Sequence, residues 1–379
     1  VSQFSPHDHA MMALALQLAK RGQYSTTPNP NVGCVISDDK GDIVGQGWHH
    51  KAGSAHAEVH ALNQAGQKAT GATAYVTLEP CSHTGRTPPC ANALIKAGIK
   101  RVVAAMVDPN PLVAGKGLAL LRAEKIETAS GLLASQAAQL NRGFIKRMQT
   151  GLPWVTVKLA ASVDGKTALA NGQSKWITGP LARQDVQRHR AASCAILTGS
   201  GTVLADDPGL DVRYTELGLS ANRLAEKDLR QPLKIILDGR NQMGPGLRCL
   251  QQGSGASLII NSRVNTSAFA SNVSQWQAPY THNKLDLSAV IHYLGSLHLN
   301  HIWVEAGATL AGALLENRLV DELILYQAPK LIGSAGRDLF QITPLTDMQQ
   351  VIDLQWQDIR QIGDDLKLSA KVMYAKANE

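Results

Sequence analysis

Four side chains sit where strands and helices meet, and they constrain this chain more than any other feature. His56 and Glu58 open a helical stretch over residues 57–65, Cys81 follows a strand over 74–78, and Cys90 lies at the start of a helix over about 89–97. Imidazole and thiolate donors suit tetrahedral zinc, and three protein ligands leave one position for water. Zinc lowers the pKa of such a water toward neutrality, so that hydroxide is available to attack an amidine-like ring carbon. The attack needs one proton removed and another delivered to the leaving amine, and a single carboxylate beside the metal does both. Glu58, two residues from His56 on the same helical turn, is placed for that work. Helix N-termini at His56 and Cys90 favour the negative charge of thiolate and hydroxide. Zinc nucleobase deaminases carry H-x-E followed by P-C-x-x-C. Here eight residues, 82–89, separate the cysteines instead of two. The longer gap argues against the nucleic-acid and free-nucleoside branches and supplies a loop for the substrate.

Neighbouring histidines and cysteines read differently. His60, four residues after His56, would suit a helical two-histidine zinc pair, but the protease pattern needs Glu directly after the first His, and Ala57 stands there. His60 is expected in the core or just behind the ligands. Cys34 lies on an apolar strand and reads as core, while His83, in the inserted loop, is a rival fourth ligand.

The elements around these residues alternate. A helix over 8–21 precedes strands at 32–36 and 43–47. After the helix at 57–65 come strands at 74–78 and 101–106, helices near 117–123 and 135–148, and a short apolar piece at 126–129. This order predicts a three-layer α/β/α domain over residues 1–150. Residues 146–153 end a helix, turn at Gly151 and Pro153, and launch a strand at 154–159. A second α/β pattern, residues 151–379, has strands at 195–198, 233–237, 257–260, 302–304 and 322–326. Its helices fall near 180–191 and 310–316, and polar or Gly-rich loops fill 215–231 and 238–255.

Composition narrows the setting. The 379 residues suffice for two domains. Five scattered cysteines, an odd number, speak against a disulfide framework and for a reducing compartment. No stretch approaches the roughly 20 apolar residues of a membrane helix, and residues 1–9 lack a signal-peptide layout, so a cytoplasmic enzyme without membrane contact is expected. Of the net charge of +7, residues 1–150 carry +6. The basic residues are dispersed without interleaved aromatics, which favours a phosphorylated small molecule over nucleic acid.

The phrases PNPNVGC (28–34), HAEVHA (56–61), TLEPCSHTGRTPPC (77–90) and DPNP (108–111) occur in the first half. KLAASVDG (158–165), KWIT (175–178), GTVLADDP (201–208) and VEAG (304–307) occur in the second. In this order and spacing they resemble the bifunctional deaminase/reductase family of riboflavin biosynthesis over nearly the whole chain. The resemblance implies a cytidine-deaminase-like first domain and a dihydrofolate-reductase-like second domain. It implies hydrolytic deamination of diaminohydroxyphosphoribosylaminopyrimidine with Zn2+. Reduction of the ribosyl group of the resulting 5-amino-6-(5-phosphoribosylamino)uracil to ribityl, with NADPH, would follow. By the same resemblance Asn29, His49 and Arg86 contact the first substrate. Phosphorylated pyrimidines and further copies of the chain, as a homo-oligomer, are the expected partners.

Without that resemblance, the second half says "nucleotide-binding α/β domain" more clearly than "reductase". The strand at 302–304 runs through Glu305 into Gly307 and a helix start, where glycine admits a phosphate and helical N–H groups stand unpaired. The G-x-G-x-x-G fingerprint is absent. Strand ends at 198–202 and 238–240 add Gly-bearing loops. The resemblance assigns Ala160, Trp176, Thr202, Asp206, Gly239, Gly307, Ala308, Thr309, Leu310, Ala311, Gly312 and Ala313 to the cofactor. It assigns Lys158, Ser174, Arg190, Leu210, Arg213 and Glu305 to the substrate. Arg190 and Arg213 make chemical sense as two-pronged phosphate ligands, Trp176 as a flat face beside the nicotinamide or as core, and Arg240 as a contact to the phosphate that distinguishes NADPH.

Two rival functions follow from the residues. A tRNA or cytidine deaminase with an accessory nucleotide-binding domain explains the metal residues but leaves 154–379 idle. A zinc-stabilised binding protein leaves Glu58 without a purpose, since structural sites are closed by four protein ligands.

Overall fold

A computed structural model describes residues 4–82, 89–111, 113–220 and 224–374. The chain separates into two compact units, Val1–Gly151 and Leu152–Glu379.

The first unit begins with α1 (Pro6–Ala19). Ser5 caps it in a reciprocal box with Asp8, and Pro6 occupies the first turn, where a missing N–H costs nothing. Strands β1 (Gly33–Ser37) and β2 (Ile43–Trp48) form an antiparallel pair. Next come α2 (Ala57–Ala65), β3 (Thr73–Val76), α3 (Cys90–Lys96), β4 (Arg101–Ala104), α4 (Lys116–Ala123), β5 (Glu127–Ser130), α5 (Ala134–Leu140) and α6 (Arg142–Thr150). The sheet order is β2-β1-β3-β4-β5, with β3, β4 and β5 mutually parallel.

Strand alternation sorts the core into the expected three layers. Cys34, Ile36, Ala74, Val76, Val102 and Ala104 face α2, α3 and α4, while Val35, Tyr75 and Val103 face α1 and α5. Glycines let helices press on the sheet. A Cβ on Gly33 would lie 2.0 Å from the Ala15 carbonyl oxygen, and one on Gly47 would lie 2.6 Å from that of Ala57. The second contact seats the start of α2, and with it His56 and Glu58, directly on β2.

The single helix expected over 135–148 is broken at Asn141. This buried side chain accepts from the Asn31 N–H at 2.7 Å and donates to the Asn31 carbonyl at 2.9 Å. A side chain that satisfies both backbone groups of a distant loop competes with helix continuity.

The second unit holds β6 (Trp154–Ser162), β7 (Lys166–Ala168), α7 (Pro180–Ala192), β8 (Ala195–Gly199), α8 (Ser200–Asp206), β9 (Leu233–Asp238), β10 (Ser257–Asn261) and β11 (Val273–Gln277). It continues with β12 (Tyr280–Thr281), β13 (Lys284–Leu285), α9 (Leu287–Ser296), β14 (His301–Glu305), α10 (Ala308–Glu316), β15 (Glu322–Ala328), β16 (Arg337–Asp338), β17 (Asp353–Ile362) and β18 (Asp365–Met373). The main sheet runs β11-β10-β9-β8-β14-β6-β15-β18-β17, parallel from β11 through β15 and antiparallel thereafter. Helices α9 and α10 pack on one face, and α7 and α8 on the other.

Strand β14 enters between β6 and β8, strands that are closer to each other in sequence. Such a switch in order opens a crevice at the carboxyl ends of parallel strands, where α/β sheets bind ligands. The strands expected at 154–159, 195–198, 233–237, 257–260, 302–304 and 322–326 are all present. Strand β11, helices α8 and α9 and the β17–β18 hairpin are additions, and the first of these extends the parallel edge.

Candidate active sites

In the first unit three side-chain atoms able to bind a metal converge. His56 is the N-cap residue of α2, Cys90 is the first residue of α3, and Cys81 follows the end of β3. His56 Nδ1 lies 3.2 Å from Cys90 Sγ and 3.6 Å from Cys81 Sγ, and all three donor atoms fall within 4.8 Å of one another. Bonds of about 2.0–2.3 Å to one tetrahedral ion put such atoms roughly 3.5–4 Å apart, so this donor set fits zinc. The Cys90 backbone N–H also donates to Cys81 Sγ at 3.3 Å.

The electrostatics are those of a site that wants a cation. Hydrogen bonding from the Cys90 thiol, then from His56 and the Cys90 N–H, overcomes burial and holds the Cys81 thiol at about 4. The same shared proton, with burial and the Glu58 charge, drives Cys90 upward. The His56 imidazole is raised, chiefly by its hydrogen bond with Cys81. Glu58 is buried beside them and in contact with the Cys90 thiol; burial pushes its carboxyl up to about 7, against the pull of His56. A carboxyl that titrates near neutrality both takes up and releases protons there.

Asn29 and His49 close one side of this group. His49 Nδ1 donates to the Ala55 carbonyl at 3.1 Å, which leaves Nε2 to accept from Asn29 Nδ2 at 3.0 Å. The His49 ring lies edge-on to His56 at 5.4 Å, and burial lowers its pKa, which keeps the neutral form. His60 is not one of the converging donors and stacks on His50 with ring centroids 4.2 Å apart. Cys34 is fully buried, as expected of core. Arg86 and His83 lie outside the described residues.

In the second unit, β14 and β6 set Glu305 beside Lys158 in register. Arg190, on α7, does not stand open to a phosphate. Its Nε donates to Glu305 Oε1 at 2.6 Å, its Nη2 to Oε2 at 2.8 Å and its Nη1 to the Asp211 carbonyl at 3.1 Å. Trp303 Nε1 adds a 2.8 Å bond to Glu305 Oε1. Burial pushes Glu305 up, but Arg190, then Lys158 and Trp303, bring it down to about 2. Burial lowers the Lys158 ammonium, with Glu305 opposing.

Other expected positions divide. Leu210 is buried in the core with φ +52°, so it can offer a ligand only its backbone. Arg213 is exposed and pairs with Glu216 at 2.7 Å. Ser174 is exposed on the segment that also carries Trp176. Trp176 is not core: it is 65% exposed, with the Arg183 guanidinium 4.5 Å from its ring centroid. Lys175 on the same segment reaches Asp206 of α8 at 3.9 Å, and Thr202 is half-buried on that helix. Ala160 lies half-buried on β6, Gly239 in the turn after β9, and Arg240 beside it is exposed.

The run at the start of α10 fits a nucleotide in its first turn. Gly307, the N-cap residue, has an extended backbone that any residue adopts, and a Cβ there would meet nothing within 4 Å. Its missing side chain therefore leaves space beside the N–H groups of Ala308, Thr309 and Leu310. Farther along, Ala311 packs in the core, a Cβ on Gly312 would lie 2.0 Å from the Gln341 carbonyl oxygen, and Ala313 is half-buried a turn beyond the helix start. Those three positions are set by packing and helix interior. Thr198 Oγ1, buried at the end of β8, has no hydrogen-bond partner among the described residues.

Sequence reasoning passed over Glu79 and Trp303. Glu79 stood next to Pro80 and Cys81 in plain view, but its partners are backbone N–H groups, which leave no mark in the sequence. Trp303 alternates with Glu305 along β14, and that spacing of two was the available signal.

Residues 5–106 match the cytidine and deoxycytidylate deaminase zinc-binding region, and residues 153–368 match the RibD C-terminal domain. The riboflavin biosynthesis protein RibD of Escherichia coli (strain K12) is 52% identical over 362 residues, covering 95% of this chain and 98% of that protein. Its counterpart in Haemophilus influenzae is 49% identical, covering 97% and 98%. Among solved structures, Acinetobacter baumannii RibD superposes with a TM-score of 0.87 at 43% identity, covering 97% of this chain and 99% of that one. A deaminase/reductase from Thermotoga maritima, described as acting on diaminohydroxyphosphoribosylaminopyrimidine and 5-amino-6-(5-phosphoribosylamino)uracil, gives 0.85 at 29%, with the same coverage.

Proposed function

This chain belongs to the RibD family of riboflavin biosynthesis proteins, a bifunctional enzyme with a deaminase and a reductase domain, and on that premise we propose which residues carry each activity. Membership spans both halves, which disfavours a tRNA or cytidine deaminase with an accessory domain. His56, Cys81 and Cys90 hold zinc in the deaminase domain, residues 1–150. When bound, zinc supplies an activated water at neutral pH. Glu58 takes a proton at its buried carboxylate and returns it to the departing amine. Asn29 and His49 present polar atoms beside the ligands for the pyrimidine ring, and Arg86 contacts the same substrate from the loop between the cysteines. The substrate is the phosphorylated diaminopyrimidine named for the relative from Thermotoga maritima. The observation that carries this reading is the convergence of His56, Cys81 and Cys90 with buried Glu58 at their side.

The reductase domain, residues 151–379, takes a nicotinamide nucleotide, NADPH, across the strand ends. Gly307 through Leu310 receive its phosphates at the start of α10, with Ala160, Trp176, Thr202, Asp206 and Gly239 around the crevice. When bound, NADPH supplies the hydride that reduces the ribosyl group. Lys158 and Glu305 meet the sugar at the centre of the sheet, Ser174 and Arg213 lie toward its periphery, and Leu210 offers backbone only. Arg190 fixes Glu305. The setting is cytoplasmic, consistent with no described helix being long and apolar enough to cross a membrane.

A coupled assay tests both halves. Ammonia should be released from the phosphorylated diaminopyrimidine and not from cytidine or tRNA, and NADPH oxidation should then depend on the deaminated product. Turnover of cytidine or tRNA in place of the pyrimidine would refute the substrate assignment.

A further inference from the structure

Glu79 is 4% exposed, and among the described residues the hydrogen bonds to its carboxylate come from the backbone of another segment. Oε2 accepts from the N–H groups of Asp108 at 3.0 Å and Gly115 at 2.9 Å, and Oε1 from those of Gly117 at 2.8 Å and Leu118 at 3.1 Å. The last two belong to the first turn of α4. That helix starts after Gly115, which has φ +78° and no side chain with which to cap it. The first N–H groups of a helix need an acceptor, and Glu79 supplies one from a different part of the chain, with the negative charge that a helix N-terminus favours.

The same clasp reaches the metal ligands. A Cβ on Gly117 would lie 1.9 Å from the Pro80 carbonyl oxygen, so the first turn of α4 rests directly on the peptide that leads into Cys81. From the opposite side, the Ala91 N–H donates to the Cys81 carbonyl at 3.1 Å and the Cys90 N–H to Cys81 Sγ at 3.3 Å. Cys81 is therefore held between two helix starts, α3 by direct hydrogen bonds and α4 through Glu79 and Pro80.

We propose that Glu79 is a positioning residue for zinc: by tying the start of α4 and the loop from Asp108 to the peptide before Cys81, it sets the spacing of Cys81 from His56 and Cys90. The proposal rests on the reading of those three residues as the ligands. A carboxylate suits the task because each oxygen accepts two N–H groups. A glutamine of the same shape turns an N–H2 toward two of these donors and leaves them unpaired.

The test uses the full chain. Glu79→Gln is compared with the parent by zinc affinity, from competition with a chelator, and by the visible spectrum of the cobalt(II)-loaded protein, which reports ligand geometry. Outer partners of metal ligands typically carry about 10–100-fold in affinity, and a loss of that size with a displaced cobalt spectrum is expected, while NADPH oxidation by the other domain, with the deaminated product supplied, is unchanged. A folded Glu79→Gln protein with parental zinc affinity and spectrum would overturn the proposal and leave Glu79 as a helix cap. Should that variant not fold, Glu79→Asp takes its place under the same two outcomes; it keeps the charge but is one methylene too short to span both pairs of donors. Cys81→Ala separates the two readings, because a variant that still holds zinc fully would remove the ligand assignment itself.

Discussion

Arg190 grips Glu305 through two parallel hydrogen bonds, Nε to Oε1 at 2.6 Å and Nη2 to Oε2 at 2.8 Å. This pair lies 115 residues apart in sequence, and it occupies two of the guanidinium's donors with a carboxylate. A guanidinium closed on a carboxylate fixes that carboxylate instead of searching for phosphate.

Arg190→Met should therefore act through Glu305. Breaking a buried pair by removing one partner typically costs about 3–5 kcal/mol, so the unfolding midpoint of the reductase domain should drop and its turnover fall at least roughly tenfold. Deamination should be unaltered. The pair also has a pH signature. Glu305 titrates at about 2 in the fold against about 4.3 in an unfolded chain. Its contribution is full above about pH 5 and is lost as pH falls toward 2. Denaturation of parent and variant across that window checks both points; a raised substrate KM with unchanged stability would return Arg190 to phosphate binding.

Removing a thiol tests the metal centre. The purified protein should carry about one zinc per chain, as a single three-ligand site requires. Cys81→Ala and Cys90→Ala should each lose the metal and the release of ammonia. Elemental analysis decides this, and full zinc occupancy in both variants contradicts the ligand set.

Glu58→Gln keeps the side-chain shape and removes the proton carrier. Zinc should remain bound, deamination should fall by at least roughly a hundredfold, and NADPH oxidation with the deaminated product supplied should continue as before. If ammonia release stays near the parental rate, Glu58 serves packing and another group moves the proton.

Gly307→Val probes the nucleotide site without disturbing the core. Among the described residues, no atom beyond its two chain neighbours stands within 4 Å of a Cβ there, and the backbone is one that valine accepts. Folding should be intact while the KM for NADPH rises roughly tenfold or more, since the loss of even one charged hydrogen bond corresponds to about 1.5–3 kcal/mol. Stopped-flow or equilibrium titration of the nucleotide checks it. Unimpaired binding would move the phosphates away from this helix start.

The sequence made the candidate metal cluster legible because donor chemistry and element ends coincide: His56, Cys81 and Cys90 are residue types able to bind a metal, at the ends of elements that periodicity locates. The parallel strands were equally plain, being apolar on both faces. Legibility failed where a residue's task depends on a distant partner. Leu210 carries a side chain suited to any pocket, and its positive φ turns it into the core. Nothing near Arg190 in sequence announces Glu305. Strand β17 is exposed along nearly its whole length, and a bulge between Trp356 and Asp358 interrupts its apolar alternation, so neither burial nor period marked it.

Asn141 joins Asn31 across 110 residues, so this contact waits until residue 141 has been made. A nascent chain that has emerged through residue 140 already contains His56, Glu58, Cys81 and Cys90 and the His49 partner of Asn29, while the two Asn141 bonds to Asn31 have still to form. Domains form from the N-terminus as they are made, at about 5–20 residues per second. The contact between Asn141 and that loop is thus completed after the residues of the donor cluster are all present, shortly before translation crosses into the second unit.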